Sequence, residues 1–303
     1  MKTLSFKKYL SQHYWLYIML LPGLIYFIVF KYIPMAGIII AFQKYSPFLG
    51  VKASEFVGLY YFKMLFTSPD LLKVLWNTMA ISLLSLAFYF PAPIILALLL
   101  NEIRNQAYKR TIQTFIYIPH FISLVIVASL SYSLLNINDG IVNQLIRVVT
   151  GDTINLLGGA KYFRGLIIGQ SIWKETGYGT IIFLAALAGV DISLYEAAKV
   201  DGAGRWRMMW HVTLPAIRSV IVIMLILRVG ALLNTGFEHI FLMKNALNSS
   251  VAEVIDTYVY TRGIVNAQYS YSTAMGLFKS VVGMVMVLGA NRLAKKFGES
   301  GIY

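Results

Sequence analysis

Apolar residues in this 303-residue chain gather into long runs and do not alternate with polar ones. Six runs are long enough to cross about 30 Å of hydrocarbon. They cover residues 14–30, 75–100, 112–135, 165–189, 214–234 and 273–290. Lipid offers the backbone no water to bond, so each run is predicted to be an α-helix. Pro22, Pro91 and Pro93 lie inside runs, where a missing N–H and a ring clash predict local kinks. The first run follows basic residues, as a secretory signal does. It is longer than a signal's apolar core and no small-x-small cleavage site follows, so it reads as an uncleaved span. No internal repeat is visible, which weighs against an inverted-repeat carrier.

Composition agrees with this pattern. The chain is 58% apolar and 13% charged, where a soluble domain carries about 45–50% and about 25%. The net charge of +13 raises nucleic acid as a partner. The basic residues form no dense patch interleaved with stacking aromatics, so that partner is excluded. They follow topology instead. The segments 1–13, 102–111, 190–213 and 291–303 hold 12 Lys and Arg, and the longer opposite set, 31–74, 136–164 and 235–273, holds 10. Densities of about 0.20 against 0.09 per residue place both termini and residues 190–213 in the cytoplasm. The outward loops include the tyrosine-rich "EVIDTYVYTRGIVNAQYSYS", suited to a protein or sugar contact. The absence of cysteine removes disulfides, thiolate metal ligands and a cysteine nucleophile.

Between the fourth and fifth runs lies a short polar, alanine-rich stretch. "SLYE", Ser193 to Glu196, reads as a capping box, serine and glutamate each satisfying a backbone donor. Ala197 and Ala198 continue the helix, and Gly202 can take the left-handed conformation that ends it. Trp206, Met209 and Trp210 stand at i, i+3 and i+4, the apolar stripe of a second short helix. Pro215 suits the first turn of the next span. A helix–turn–helix on the cytoplasmic face is predicted.

The combination of Glu196-Ala197-Ala198, Asp201-Gly202-Ala203 and Leu214-Pro215 resembles the EAA loop of permease subunits in binding-protein-dependent ABC importers, specifically the maltose-type carbohydrate branch. "YIPMAGIIIAFQKYSP" and "FVGLYYF" look like the region after the first span in permeases for oligosaccharide and polysaccharide fragments. The resemblance runs along most of the chain. It implies an all-α integral membrane protein of six transmembrane helices in the type I ABC importer permease fold. A cytoplasmic segment 1–13, a permease domain 14–290 with the EAA loop at about 190–213, and a tail 291–303 follow from it. It further implies a bacterial plasma (inner) membrane location and no enzymatic activity of the chain's own. The implied partners are a second homologous permease (a heterodimeric arrangement), two ATP-binding subunits and an extracellular or periplasmic solute-binding protein. The loop's first helix would insert into a cleft of the ATPase. Ala197, Ala198 and Ala203 would allow close approach, and Glu196 and Asp201 would supply polar anchors. No G-x-x-x-x-G-K-[ST] sequence is present, so ATP and magnesium would be used by the partner and no cofactor bound here.

Four cations fall inside the runs, Lys174, Arg218, Arg228 and Lys279, and Glu175 is the one acid there. Intramembrane charge points to a pathway or a partner. Arg218, one turn into its run, snorkels. By alignment with the maltose-type family, the sugar path would use Ser171, Glu175 and Tyr178 on the fourth span and Arg228, Leu232 and Thr235 on the fifth. Spacings of four and three put each trio on one helical face. Leu232 departs from a polar family position. In the maltose system the partner permease holds most ligand contacts, which would make these residues lining. Arg228 and Glu175 are expected to pair across the two faces, because neither charge then waits alone in low dielectric. That expectation favours a neutral or mixed oligosaccharide; an unpaired Arg228 would instead suit an anionic one.

Other chemistry is unsupported. His13, His120, His211 and His239 lie in four regions without metal-binding spacing, and no nucleophile–base motif appears. Gly276, Gly283 and Gly289 are expected to admit a neighbouring helix closely. A stand-alone secondary carrier or channel for a polar solute, coupled to protons through Glu175, is the alternative function.

Overall fold

The computed structural model describes residues 12–298 and 301. The chain divides into two compact units. One comprises Met1–Thr67 and Arg262–Leu277, and the other Ser68–Thr261 and Phe278–Tyr303.

The first unit begins with α1 (Tyr14–Phe42). Over Tyr14–Phe27 its side chains are apolar all round and none is buried by protein, as befits a helix whose solvent is lipid. The helix runs past Lys31, where the apolar run was expected to stop, because residues 33–42 remain apolar. Strands β1 (Gln43–Lys44) and β2 (Glu55–Phe56) then pair antiparallel, with Lys44 opposite Glu55. They are followed by α2 (Tyr60–Thr67). The Tyr45 N–H donates to Ser270 Oγ at 3.1 Å, tying this hairpin to the residue 262–277 segment.

The second unit is helical. It holds α3 (Pro69–Asn101), α4 (Gln106–Phe121), α5 (Leu124–Leu135), α6 (Ile141–Thr150), α7 (Ala160–Ala188), α8 (Ile192–Val200), α9 (Arg205–Ala216) and α10 (Arg218–Gly230). Then come α11 (Phe237–Met243) and α12 (Ile255–Tyr260). The unit boundary falls within the last helix, α13 (Tyr269–Lys296). Among the described residues α1, α3 and α13 are each long and apolar enough to cross a membrane. The pairs α4–α5, α7–α8 and α9–α10 meet the same test only when joined, and they bend by 95°, 72° and 61°.

Two of these bends correct the sequence reading. Residues 112–135 were expected to form one span, yet the chain turns at Ile122. Pro119 lies in a 3₁₀ turn, Ile122 is extended, and the Ser123 side chain accepts from the Ile126 N–H at 3.3 Å to start a new helix. Residues 214–234 likewise do not form one helix. It begins after a break at Ile217 and stops at Gly230, with Ala231–Leu233 in turns. The kink expected near Pro91 and Pro93 is a π turn at Ser85–Tyr89, closed by the Phe90 N–H on the Ser85 carbonyl at 3.0 Å.

Helix α7 is the centre of this unit. Its N-terminal half gives Phe163, Ile167 and Ile168 to a cluster with Ile81, Ile240, Met243 and Val254. Its C-terminal half gives Phe183 and Leu187 to a second cluster with Ala97, Leu98, Met209 and Ile217. Two glycines let its neighbours in. A Cβ on Gly177 would overlap the Ile116 carbonyl of α4, and one on Gly179 would stand 3.0 Å from Pro93 Cγ of α3. Of the three glycines expected to do this on α13, only Gly283 does, 3.2 Å from the Gly230 carbonyl; Gly276 and Gly289 face open space.

Gly177→Ala should therefore destabilise the detergent-solubilised protein by about 1–3 kcal/mol, the range for forcing extra carbon into a filled contact. Gly169→Ala, on the same helix and facing open space, should not. Thermal unfolding of the two variants checks this; equal midpoints would mean that α4 and α7 are not in contact at Gly177.

Candidate functional site

The site is built on α3, α7 and the end of α10. Ser171, Arg228, Leu232 and Thr235 line one polar cavity with Ser82 and Ser85 of α3. The fifth-span trio meets there although Leu232 and Thr235 lie beyond the helix end, so a common helical face is not what unites them. The turn places them: the Leu232 N–H bonds the Val229 carbonyl at 3.1 Å, and Ser82 Oγ donates to the Leu232 carbonyl. Arg228 donates to Ser85 Oγ at 2.6 Å, and its guanidinium carbon stands 5.1 Å from the Tyr89 ring centroid. Thr235 Oγ1 is buried there without a protein hydrogen-bond partner.

Glu175 and Tyr178 are elsewhere. Glu175 accepts from Lys174 Nζ at 2.7 Å and lies 2.6 Å from His120 Nδ1. Lys174 Nζ also donates to the His120 carbonyl at 2.8 Å. Tyr178 stacks on the His120 ring, centroids 3.9 Å apart and planes 3° from parallel. The expected Arg228–Glu175 pair does not form. Lys174 is adjacent in sequence and only 9% exposed, so it claims the carboxylate first. The argument for a neutral substrate rested on that pair and loses its basis.

Sequence reasoning missed His120, Gln170, His239, Ser82, Ser85 and Tyr89. His239 Nε2 lies 2.6 Å from Gln170 Oε1, and Gln170 also donates to Ser131 Oγ at 2.6 Å. A signal was present for some of them. Ser82, Ser85 and Tyr89 recur at spacings of three and four inside an apolar run, as Gln170 and Lys174 do at four. His120 had none, because its position depends on the break between α4 and α5.

The cavity measures about 40 Å³, room for little more than a water molecule. A sugar ligand needs several hundred. A saccharide would enter this cavity only if α3, α7 and the α10 end moved apart.

The second set of predicted residues lies at the other end of α7. After Gly189 the chain turns 72° into α8. The N-cap is Asp191, not Ser193: its carboxylate accepts from the Ser193 N–H at 2.9 Å. That bond holds the Asp191 carboxyl below the usual carboxylate range, and the Ser193–Glu196 capping box does not form. The C-terminus follows expectation. Gly202 has φ +74°, its N–H bonds the Lys199 carbonyl at 3.0 Å, and the Ala203 N–H bonds Ala198 at 2.9 Å. Tyr195 donates to Thr213 Oγ1 at 3.1 Å, bracing α8 on α9. Glu196, Ala197, Asp201 and Gly202 are exposed, Ala198 and Ala203 half-buried. Leu214 and Pro215 open the turn before α10. Of the predicted stripe only Met209 turns inward. A π turn at Met209–Thr213 breaks the helical period, and Trp206 and Trp210 remain exposed.

A profile for "binding-protein-dependent transport system inner membrane component" matches residues 89–299. The chain belongs to that family. It is 58% identical over 294 residues to the polygalacturonan/rhamnogalacturonan transport system permease protein YteP of Bacillus subtilis, covering 97% of this chain and 92% of the relative. It is 56% identical over 302 residues to Protein LplB of the same organism, covering 100% and 95%. It superposes with a TM-score of 0.90 and 39% identity on a chain from the crystal structure of a bacterial alginate ABC transporter in complex with alginate pentasaccharide-bound periplasmic protein. That match covers 98% of this chain and 99% of the other. YteP is named as a transport system permease, which is not an enzyme.

The contacts around Lys174 predict a double-variant result. Glu175→Gln should lower stability by about 1–3 kcal/mol, the cost of leaving a buried charged donor short of its acceptor. Adding Lys174→Met should recover most of the loss, and adding Arg228→Gln should recover none. Thermal unfolding of the three variants reads this directly; rescue by Arg228→Gln would restore the Arg228–Glu175 pairing.

Proposed function

We propose that the chain is one of two homologous permease subunits of a bacterial carbohydrate ABC importer and forms half of the path for an acidic oligosaccharide. It has six spans, with α4–α5 a single broken one, in the type I importer fold. Both termini and the α8–α9 hairpin are cytoplasmic, residues 1–13 and 291–303 flanking a permease domain of 14–290. Two separate ATP-binding subunits use ATP and magnesium, and an extracellular solute-binding protein delivers the sugar. The observation that carries this reading is mechanical. One helix, α7, lines the Arg228 cavity at Ser171 and turns at its inner end into an exposed, alanine-rich helix. Its 29 residues span about 43 Å, more than the hydrocarbon thickness.

The exposed residues of α8 and the turn, Glu196, Ala197, Asp201 and Gly202 with half-buried Ala198 and Ala203, form the surface that enters the ATPase cleft. Leu214 and Pro215 anchor the hairpin to α10. Closure of two ATPases would push α8, and the Tyr195–Thr213 brace would make α8 and α9 move together. The push reaches the cavity through α7 and α10, the walls that must part. Trp206 and Trp210 suit the membrane–water boundary.

The acidic substrate follows from Arg228. It is held by a hydroxyl and an aromatic face, and no carboxylate lines its cavity. A uronate could take the guanidinium's paired donors, with Ser171, Ser82, Ser85 and Thr235 for hydroxyls. Leu232 would meet the apolar face of a ring. The relatives named for polygalacturonan and alginate transport support this choice.

Two variants in the reconstituted complex test the coupling. Gly202→Asp puts a side chain at φ +74°, a conformation glycine accepts most easily, and Glu196→Lys reverses the exposed anchor. Both should abolish sugar-stimulated ATP hydrolysis while the chain remains inserted; wild-type hydrolysis in both would refute the assignment of α8. Arg228→Gln tests the substrate. Uptake of trigalacturonate should fall at least about tenfold, as for a lost charge-assisted pair, with arabinotriose uptake changing less. Equal losses would argue against an acidic substrate.

A further inference from the structure

The first unit contains a cavity of about 530 Å³ that the translocation path does not use. Its wall is made by β1, β2, α2 and the start of α13, through Lys44, Tyr45, Glu55, Tyr60, Tyr61 and Tyr269, among others. We propose that this cavity is a saccharide-binding site, taking one or two sugar rings on the outward side of the protein. This rests on the carbohydrate and orientation readings above, since it places residues 31–74 and 262–273 outside.

Three observations carry the inference. The volume lies within the range of small-molecule sites, and is more than ten times that of the cavity at Arg228. Five tyrosines line it: Tyr271 completes the set, and Tyr45 and Tyr269 meet edge to face with centroids 6.0 Å apart. Tyrosine rings offer flat apolar faces for the C–H side of a sugar and hydroxyls for its edge. The opposed Lys44 and Glu55, with Gln268 and Ser270, add donors and acceptors of both signs. Lys44 could meet a uronate carboxylate, and Glu55 could accept from ring hydroxyls. Finally, Ala267 lines the cavity at φ +54°, the one described non-glycine residue in that region. The Gln268 N–H, bonded to the Arg262 carbonyl at 2.9 Å, fixes the turn. Such backbone strain gathers at ligand sites. A saccharide is favoured over a protein loop because the lining is concave and mixes rings with both charges, where a docking surface would be flatter and more apolar at its centre.

The chain has no cysteine, so a single one reports on the cavity. Met64 lines it and is half exposed; Phe48 is exposed and does not line it. In the assembled complex in nanodiscs, the labelling rate of Met64→Cys and Phe48→Cys by an impermeant maleimide is measured with free trigalacturonate or arabinotriose, or with sugar-free binding protein. At four times its Kd a free sugar leaves one-fifth of sites open, so Met64→Cys should label about fivefold more slowly, and Phe48→Cys should not change. Adding Tyr269→Leu should raise the sugar concentration for half-protection about three- to tenfold, the worth of one ring. Protection only by the binding protein, or by no probe, overturns the proposal. ATP-driven uptake of the same sugars by the unmodified complex separates the two readings. Uptake without protection removes this site alone, and absence of both removes the carbohydrate reading as well.

Discussion

The contact between Lys174, Glu175 and His120 is the constraint on which much of the second unit depends. An amine and a carboxylate placed side by side on an apolar helix cannot stay in lipid. They need each other and a polar neighbour. The neighbour is the broken end of α4, whose His120 presents its ring to Glu175 and its carbonyl to Lys174. Ile116 reaches Gly177 one turn away, and Tyr178 stacks on His120. Charge satisfaction therefore holds the end of α4 against α7, and a tight backbone approach fixes how near it comes.

With Lys174 and Glu175 neutralised together, Arg228 is left to Ser85 and Tyr89 in a separate polar cavity. One helix thus separates two polar regions, a mixed-charge group at Lys174, Glu175 and His120 and the cavity lined by Arg228. Helix α7 also continues to the α8 elbow, so that a displacement at one end has a stiff route to the other. The two hydrophobic clusters on its halves give that route its rigidity.

The long apolar helices α1, α3 and α13 were legible because lipid imposes a length and a composition on any helix that crosses it. The C-terminus of α8 was legible because Gly202 must supply a positive φ. Less legible were features decided by competition between local signals. Asp191 and Ser193 both suit an N-cap, and the earlier residue won. Pro119 and Ser123 both lie inside an apolar run, and together they turn one expected span by 95°. Arg228 and Glu175 were matched by charge alone, without knowing that Lys174 stands closer. Leu232 and Thr235 reach their cavity through a turn after Gly230, which helical spacing does not describe.

The central claim is that transport by this chain is driven by a separate ATPase. Flux of radiolabelled trigalacturonate into proteoliposomes tests it most directly, comparing the purified chain alone with the complete complex of both permeases, ATP-binding subunits and solute-binding protein. The account predicts accumulation only in the complete complex and only with ATP and magnesium. Accumulation, or equilibration at a comparable rate, by the chain alone would contradict it.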